Sequence, residues 1–322
     1  MYDYFMKRLI YQKFILGTGD LDSALAEGLG GVILFTKDIK SESQLKTLIK
    51  YIKEKALIAP FISIDQEGGR VERTEIIRPN RLSAKQAYEQ GMDFLKEQSS
   101  EISQELAKWG FNLNFAPCID VNTNPDNPII GERSFSNLPD KVVQAMRIFV
   151  KESRINNIIP CVKHFPGHGD ADKDSHLTLP VIDLPFEKMK EIHIEPFKKA
   201  VEDDIEMIMV AHLHCTCFDK EPIPASLSKN VISYLRNDLG YKGVIITDDM
   251  VMKGVQNYGS LEACIMAIKA GVDMFIFRNS DESVLRLMDE LAKKIESDKE
   301  LQQLVIDSNK RIMTLKEKAG LI

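Results

Sequence analysis

Short apolar runs recur along the chain and are separated by longer amphipathic stretches. The runs contain three to five residues and are rich in β-branched, aromatic and methionine side chains, which is typical of parallel strands buried on both faces. Seven runs are clear, at residues 32–35, 61–64, 113–116, 158–162, 207–210, 244–246 and 274–277.

The stretches between these runs have the 3.6-residue period of surface helices. We predict helices at residues 43–55, 92–109, 141–156, 185–201, 228–239 and 261–270. With a weaker eighth strand candidate at residues 222–227, the alternation predicts a (β/α)8 TIM-type barrel. We expect one catalytic domain over residues 1–322, with a capping helix at about 291–318.

A doubly wound sheet is the main alternative architecture. A dinucleotide-binding sheet of that kind needs a Gly-x-Gly-x-x-Gly turn between its first strand and helix. No such turn follows Leu34 or Ile64. The barrel is therefore the better prediction.

Polar residues follow five of the predicted strands. Barrel enzymes place their chemistry at the carboxyl ends of the strands, so side chains in these positions should converge on one mouth. The residues are Asp65, Asp120 with Asn122, Lys163 with His164, His212, and Asp248 with Asp249.

Composition and charge narrow the function further. The net charge is −6 without a basic cluster, so there is little electrostatic reason to bind nucleic acid or an anionic membrane. Lysine and arginine interrupt the apolar residues near the N-terminus before a signal-peptide core can form. Five cysteines, an odd number, favour reduced thiols. We expect a cytoplasmic monomer that acts on small molecules.

The densest chemistry lies in residues 163–176, which contain three histidines. Two glycines, Gly167 and Gly169, predict a mobile surface loop after the strand that ends at Lys163 and His164. Within it, Asp174 lies two positions before His176 and could accept a hydrogen bond from the imidazole, as in an acid/base dyad. The alternative is that Asp174 only caps a local turn.

Two further blocks follow strands. Residues 65–73 combine acids, arginines and a glycine pair, a mixture that suits recognition of hydroxyl groups, although surface ion pairs are an equally good explanation. In the loop at 122–135, Arg133 is the best ligand candidate.

The fourth site candidate is the pair Asp248 and Asp249, directly after a buried strand. Neighbouring side chains on extended backbone point to opposite faces. One carboxylate should therefore face the ligand, while the other binds backbone or caps a helix starting near Met250.

These motifs together resemble the family 3 glycoside hydrolases. The resemblance is carried by Lys-His-Phe-Pro-Gly-His-Gly-Asp at 163–170 with Asp-Ser-His at 174–176, by residues 65–73 and 114–135, and by Thr-Asp-Asp-Met at 247–250. Within the family the chain is most similar to single-domain bacterial β-N-acetylglucosaminidases of peptidoglycan recycling.

The resemblance implies hydrolysis of terminal, non-reducing β-linked N-acetylglucosamine from cell-wall fragments such as muropeptides, without a metal or an organic cofactor. It makes Asp248 the nucleophile of a retaining displacement, His176 the acid/base and Asp174 its partner. The residues that it implies for sugar binding are Asp65, Arg73, Arg133, Lys163 and His164.

Three other hypotheses, two catalytic and one non-catalytic, account for fewer of these residues. A substrate-assisted hexosaminidase would use the Asp248–Asp249 pair instead of a covalent intermediate. A metallohydrolase would use His164, His168, His212 and His214. The third hypothesis is a non-catalytic sugar-binding barrel, which would have little reason to keep Asp174, His176 and Asp248 together. Because a neutral histidine repels an anionic acceptor less than a carboxylate does, phosphorolysis is also open as a side activity.

Overall fold

The computed structural model describes residues 2–171 and 179–322, and only the backbone of residues 2–4. Eight parallel strands close into a barrel in the order β1-β10-β9-β7-β5-β4-β3-β2. The barrel strands are β1 (Phe14–Leu16), β2 (Gly31–Leu34), β3 (Phe61–Ile64), β4 (Leu113–Asn114), β5 (Ile159–Phe165), β7 (Met207–Val210), β9 (Val244–Asp249) and β10 (Met274–Phe277). The predicted TIM-type barrel is confirmed.

Helices surround the barrel, and a small sheet lies beside it. The α-helices are α1 (Tyr2–Tyr11), α2 (Asp22–Ala26), α3 (Glu42–Lys55), α4 (Ala84–Glu89), α5 (Met92–Trp109), α6 (Pro139–Ile155), α7 (Phe186–Lys188), α8 (Glu195–Glu202), α9 (Lys229–Ser233), α10 (Lys253–Gln256), α11 (Ser260–Ala270), α12 (Glu282–Glu296) and α13 (Lys299–Lys318). Turns of π-helix join α7 to α8 and extend α9, and the two-residue strands β6 (Val181–Ile182) and β8 (His214–Cys215) pair with each other.

The eighth barrel strand is not where the sequence placed it. Residues 222–227 form a loop and the short 3-10 helix Ala225–Leu227, and their two prolines lack the N–H that a central strand must donate. The missing strand is β1, which pairs with β2 and β10. Its three residues are too few to show a periodic signal.

The C-terminal stretch also differs from the prediction. The helix expected at about 291–318 is two helices, because the chain breaks at Ser297 and Asp298 and the Asp298 carboxylate caps the start of α13. Ile312 and Leu315 of α13 pack with the side chains inside the barrel. This helix therefore covers the amino-terminal end of the barrel and leaves the carboxyl end for the site.

Alternation along the strands decides which side chains face inward. Ile159 and Cys161 of β5 and Val244 and Ile246 of β9 belong to the apolar cluster inside the barrel. Side chains at every second position share a face of a strand. Lys163 and Asp248 are the next inward positions on these two strands, at the carboxyl end. The same two-residue alternation along β3 places the Asp65 side chain on the inward face.

Candidate active site

Two adjoining cavities open at the carboxyl end of the barrel. Their volumes are about 410 and about 320 Å³, and they share Asp65, Arg73, Met209 and Asp248. The smaller cavity is also lined by Arg133, Lys163, His164 and His168. Every predicted site residue within the described part of the chain therefore lies at one mouth.

Lys163 lies between two carboxylates. Its Nζ is 2.8 Å from Oδ1 of Asp65 and 2.7 Å from Oε1 of Glu67. Burial alone would lower the pKa of Lys163, but Asp65 and Glu67 outweigh it and raise the pKa. The lysine is therefore a fixed cation beside the cavity. It lies where the pairing of β5 with β7 shifts register.

Arg133 is joined to Glu67 by two parallel hydrogen bonds. Its Nε and Nη2 donate to the two Glu67 oxygens over 2.9 and 2.8 Å. Such a bidentate pair fixes the plane of the guanidinium group. Burial would raise the pKa of Glu67, but Arg133 and Lys163 hold it well below its usual range. Glu67 is thus an ionised carboxylate that the sequence did not single out.

His164 has a defined tautomer. Its Nδ1 lies 2.7 Å from Oδ2 of Asp120, which only accepts, and its Nε2 lies 3.3 Å from Nη2 of Arg133, which only donates. Nδ1 therefore carries the proton. Burial would raise the pKa of Asp120, but His164 and His168 hold it well below its usual range.

Arg73 completes the rim of the site. Its guanidinium carbon lies 5.9 Å from the centre of the Phe35 ring, and Nη2 lies 3.9 Å from Oδ2 of Asp65. The backbone N–H of Arg73 donates to Oε1 of Gln66 over 2.9 Å. The loop after β3 thereby holds this cation over both cavities.

The two adjacent aspartates have different roles, as the alternation predicted. Asp249 accepts hydrogen bonds from the backbone N–H groups of Val251 and Arg278 and pairs with the Arg278 side chain at 3.1 Å. Asp248 lines both cavities. The helix expected near Met250 begins at Lys253, because β9 continues through Asp249.

Neighbouring charges and a hydrogen bond keep Asp248 an anion despite its burial. Burial would raise its pKa, but His164, His212 and the N–H of Asp249 together lower it. That N–H donates to Oδ1 of Asp248 over 2.7 Å. The arrangement offers a carboxylate nucleophile among hydrogen-bond donors.

The first residues of the segment after β5 do not form the surface loop that the glycines predicted. Residues 166–169 are buried, and a Cβ on Gly169 would lie 1.8 Å from the carbonyl oxygen of Val121. This close approach of two backbones buries the segment. His168 packs edge-on against His164, and burial lowers its pKa to about 4. Asp174 and His176 lie outside the described residues.

Two functional candidates escaped the sequence reasoning. The sequence places Asp120 among the polar residues that follow strands and Glu67 within residues 65–73, but it indicates no partner for either. Their partners His164 and Arg133 are 44 and 66 positions away along the chain. Residue type alone gave no signal for these pairs.

One buried group has the residue types of a metal site. Ligand atoms of Cys118, Asp120 and His164 lie within 4.8 Å of one another. Both Asp120 oxygens, however, already accept hydrogen bonds, from the backbone N–H groups of His164 and His168, from the His164 ring and from the Cys118 thiol. These N–H and S–H donors point at the Asp120 carboxylate, which is an anion, and their hydrogens would repel a metal cation at the same position.

Among residues 2–171 and 179–322, no helix combines the length and the apolar character that crossing a bilayer requires.

Comparisons with known proteins find related sequences and a matching fold. The model of the glycosyl hydrolase family 3 N-terminal domain matches residues 21–315. Beta-hexosaminidase A of Pseudoalteromonas piscicida is 32% identical, and the match covers 90% of this chain and 53% of the relative. Beta-hexosaminidase of Photobacterium profundum is 33% identical, with coverage of 82% and 78%.

A solved structure shows the same similarity in three dimensions. A glycoside hydrolase family 3 beta-N-acetylglucosaminidase from Paenibacillus sp. superposes with a TM-score of 0.89 and 30% sequence identity. The superposition covers 98% of this chain and 62% of that one. The chain thus spans between about half and about four fifths of the length of these relatives.

Proposed function

Because the chain belongs to the glycosyl hydrolase family 3 N-terminal domain family, we propose that it is a glycoside hydrolase and, more specifically, a retaining exo-β-N-acetylglucosaminidase. The proposed reaction removes terminal, non-reducing β-linked N-acetylglucosamine from cell-wall fragments such as muropeptides. The relatives named beta-hexosaminidase support a hexosamine as the released sugar, and the similar structure of a beta-N-acetylglucosaminidase supports N-acetylglucosamine. The observation that carries the proposal is the inward Asp248 carboxylate in a cavity shared with Asp65, Lys163 and Arg133.

In the first step Asp248 attacks the anomeric carbon. A bond forms between a carboxylate oxygen and that carbon, the glycosidic C–O bond breaks, and the imidazolium of His176 gives its proton to the departing oxygen. The lowered pKa of Asp248 keeps the nucleophile ionised at neutral pH.

In the second step water releases the sugar. Neutral His176 takes a proton from water as the oxygen attacks the anomeric carbon, and the bond to Asp248 breaks. Asp174 is proposed to accept the second N–H of His176 and to stabilise its charged form. The assignment of these two residues is supported by the sequence resemblance.

The remaining residues are proposed to bind the hydroxyl groups of the sugar. Asp65 accepts hydrogen bonds, whereas Lys163, Arg133 and Arg73 donate them, and His164 lines the cavity with its Nε2 facing Arg133. These groups converge on the cavity that also holds Asp248. Such a set binds an uncharged, hydroxyl-rich ligand better than an apolar one.

We also propose that the enzyme is a cytoplasmic monomer with one catalytic domain over residues 1–322, its C-terminal stretch at about 291–318 covering the barrel. All five cysteines are free, and four are buried, which suits a reducing compartment. Light scattering on the purified protein and fractionation of the producing cells test these two points.

Release of 4-nitrophenol from its β-N-acetylglucosaminide and its β-glucoside tests the function. Wild type should cleave only the amino sugar, Asp248→Ala should be inactive, and His176→Ala should be strongly impaired. Asp249→Asn tests the neighbouring carboxylate and should retain activity. Preference for the glucoside, or full activity of Asp248→Ala, would contradict the proposal.

A further inference from the structure

Glu67 is a buried carboxylate whose two oxygens receive three strong donors. Its side chain is 3% exposed and binds Nζ of Lys163 at 2.7 Å and the Arg133 guanidinium at 2.8 and 2.9 Å. It lines neither of the two cavities. Both cations that it binds do line the smaller one.

We propose that Glu67 is a positioning residue, which holds Lys163 and Arg133 in the orientation in which they bind the sugar. This inference rests on the proposed function, because it assigns to Glu67 the support of the sugar-binding cations. Glu67 itself acts only through these two side chains.

The elements that carry the three residues explain why such a support is needed. Lys163 is on β5, Arg133 ends the short 3-10 helix Gly131–Arg133, and Glu67 lies in the loop after β3. Long cationic side chains lose considerable rotamer entropy when they are held in one position. A single carboxylate that binds both cations fixes them relative to each other before the sugar arrives.

The charges in this group balance. Asp65, Lys163, Glu67 and Arg133 alternate in sign along a continuous chain of contacts. When Glu67 is removed, Lys163 loses one of the two carboxylates that contact its Nζ, and its burial then favours the neutral amine. Loss of Glu67 should therefore make sugar binding sensitive to alkaline pH.

Glu72 provides a matched control in the same loop. Its carboxylate is also buried, binds Thr74 and Gln66, and pairs with Arg81 at 3.5 Å. Within the described part of the chain, its hydrogen bonds and ion pairs reach neither Lys163 nor Arg133. Glu72→Gln should thus report the effect of losing a buried carboxylate from this loop on stability alone.

The experiment compares Glu67→Gln, Glu67→Asp and Glu72→Gln with wild type. The measurements are kcat and KM for 4-nitrophenyl β-N-acetylglucosaminide, calorimetric binding of N-acetylglucosamine, and the unfolding temperature. Glu67→Asp keeps the charge, so it remains informative where Glu67→Gln fails to fold. Its shorter side chain cannot reach both cations at once.

We expect KM and the dissociation constant of N-acetylglucosamine to rise about tenfold or more in Glu67→Asp, because Arg133 loses its bidentate partner, with a smaller change in kcat. In Glu67→Gln both constants should rise further as the pH increases above neutral, because Lys163 loses its proton more readily. Glu72→Gln should have the same KM and the same dissociation constant of N-acetylglucosamine as the wild type. Wild-type binding in Glu67→Asp would overturn the inference.

A readout without substrate separates this inference from the proposed function. Wild-type protein that neither binds nor cleaves the amino sugar would refute the proposed function. Titration of ¹³C-labelled lysine, with Lys163 assigned through Lys163→Arg, tests the support by Glu67 directly. The Lys163 pKa should fall in Glu67→Gln and not in Glu72→Gln, and an unchanged pKa would contradict the positioning role.

Discussion

Oδ2 of Asp120 accepts the Nδ1 proton of His164 over 2.7 Å, and this hydrogen bond leaves Nε2 of His164 as the acceptor that faces Arg133. Asp120 is fully buried and also accepts the backbone N–H groups of His164 and His168. It therefore fixes the position of the ring and the location of its proton.

Asp120→Asn should shift the proton of His164 to Nε2. The amide NH2 of asparagine would face Nδ1, so Nε2–H would oppose the donor Nη2 of Arg133. We expect kcat/KM to fall by about 100-fold, by the logic of other histidines whose carboxylate partner is replaced by an amide. Steady-state kinetics and ¹⁵N spectra of the histidine ring would measure both effects.

Asp273→Asn is the control for Asp120→Asn. Asp273 is a buried carboxylate at the opposite end of the barrel, where it binds Arg236 and Arg311. Its replacement should reduce stability and leave the histidine tautomer unchanged. An Asp120→Asn protein with wild-type kcat/KM would show that the His164 tautomer is irrelevant to activity.

Arg133→Lys should weaken sugar binding although the charge is kept. A lysine cannot make the two parallel bonds to Glu67, so KM should rise by about 10- to 100-fold. Arg154 makes a comparable pair with Glu206 on the outer surface, at 2.8 and 3.1 Å. Arg154→Lys should therefore leave KM unchanged, and equal KM values in both variants would be evidence against a role of Arg133 in binding.

Metal chelation should not change the rate. The donors around Asp120 are arranged for an anion, and the proposed displacement needs only Asp248, His176 and water. Dialysis against EDTA, followed by assay with and without added Zn²⁺, measures this. Loss of activity that Zn²⁺ restores would instead favour the metallohydrolase mechanism.

Lys316→Met should stabilise the protein at low pH. Lys316 is buried beneath the barrel, where its Nζ donates to Oε1 of Gln12 and lies 5.0 Å from the centre of the Phe61 ring. Burial lowers its pKa to about 7. Replacing such a buried charge by an apolar side chain of similar size should stabilise the fold by about 1–3 kcal/mol below pH 7.

The pH dependence of this effect follows from the direction of the pKa change. Between about pH 7 and 10.5 the unfolded chain binds more protons than the folded one, so the wild type gains stability as pH rises. The advantage of Lys316→Met should therefore shrink with pH in thermal unfolding experiments. Lys318→Met, at an exposed position on the same helix, is the control. A stability advantage of Lys316→Met that grows with pH would contradict this explanation.

The inward residues of the site were predictable because they follow local rules. Asp65, Lys163 and Asp248 each continue the two-residue alternation of a buried strand, and parallel strands end at the same side of a barrel. Both the alternation and the order of strand ends can be recognised in a sequence. The barrel fold and the convergence of these residues on its mouth are therefore predictable from the sequence, whereas the closing strand is not.

Contacts between distant segments were not predictable in this way. The burial of residues 166–169 depends on the approach of Gly169 to Val121, and the orientation of Arg133 depends on Glu67. The closing strand Phe14–Leu16 is defined by its neighbours and not by its own pattern. Each of these features is set by packing in three dimensions.

Trapping of the covalent intermediate tests the mechanism most directly. A 5-fluoro N-acetylglucosaminyl fluoride keeps the acetamido group, and its fluorine at carbon 5 slows the release of the sugar from the enzyme. Mass spectrometry of the digested protein should place the sugar on the peptide that contains Asp248, and Asp248→Asn should remain unlabelled. Labelling of Asp249, or turnover of the reagent without any adduct, would contradict a displacement by Asp248.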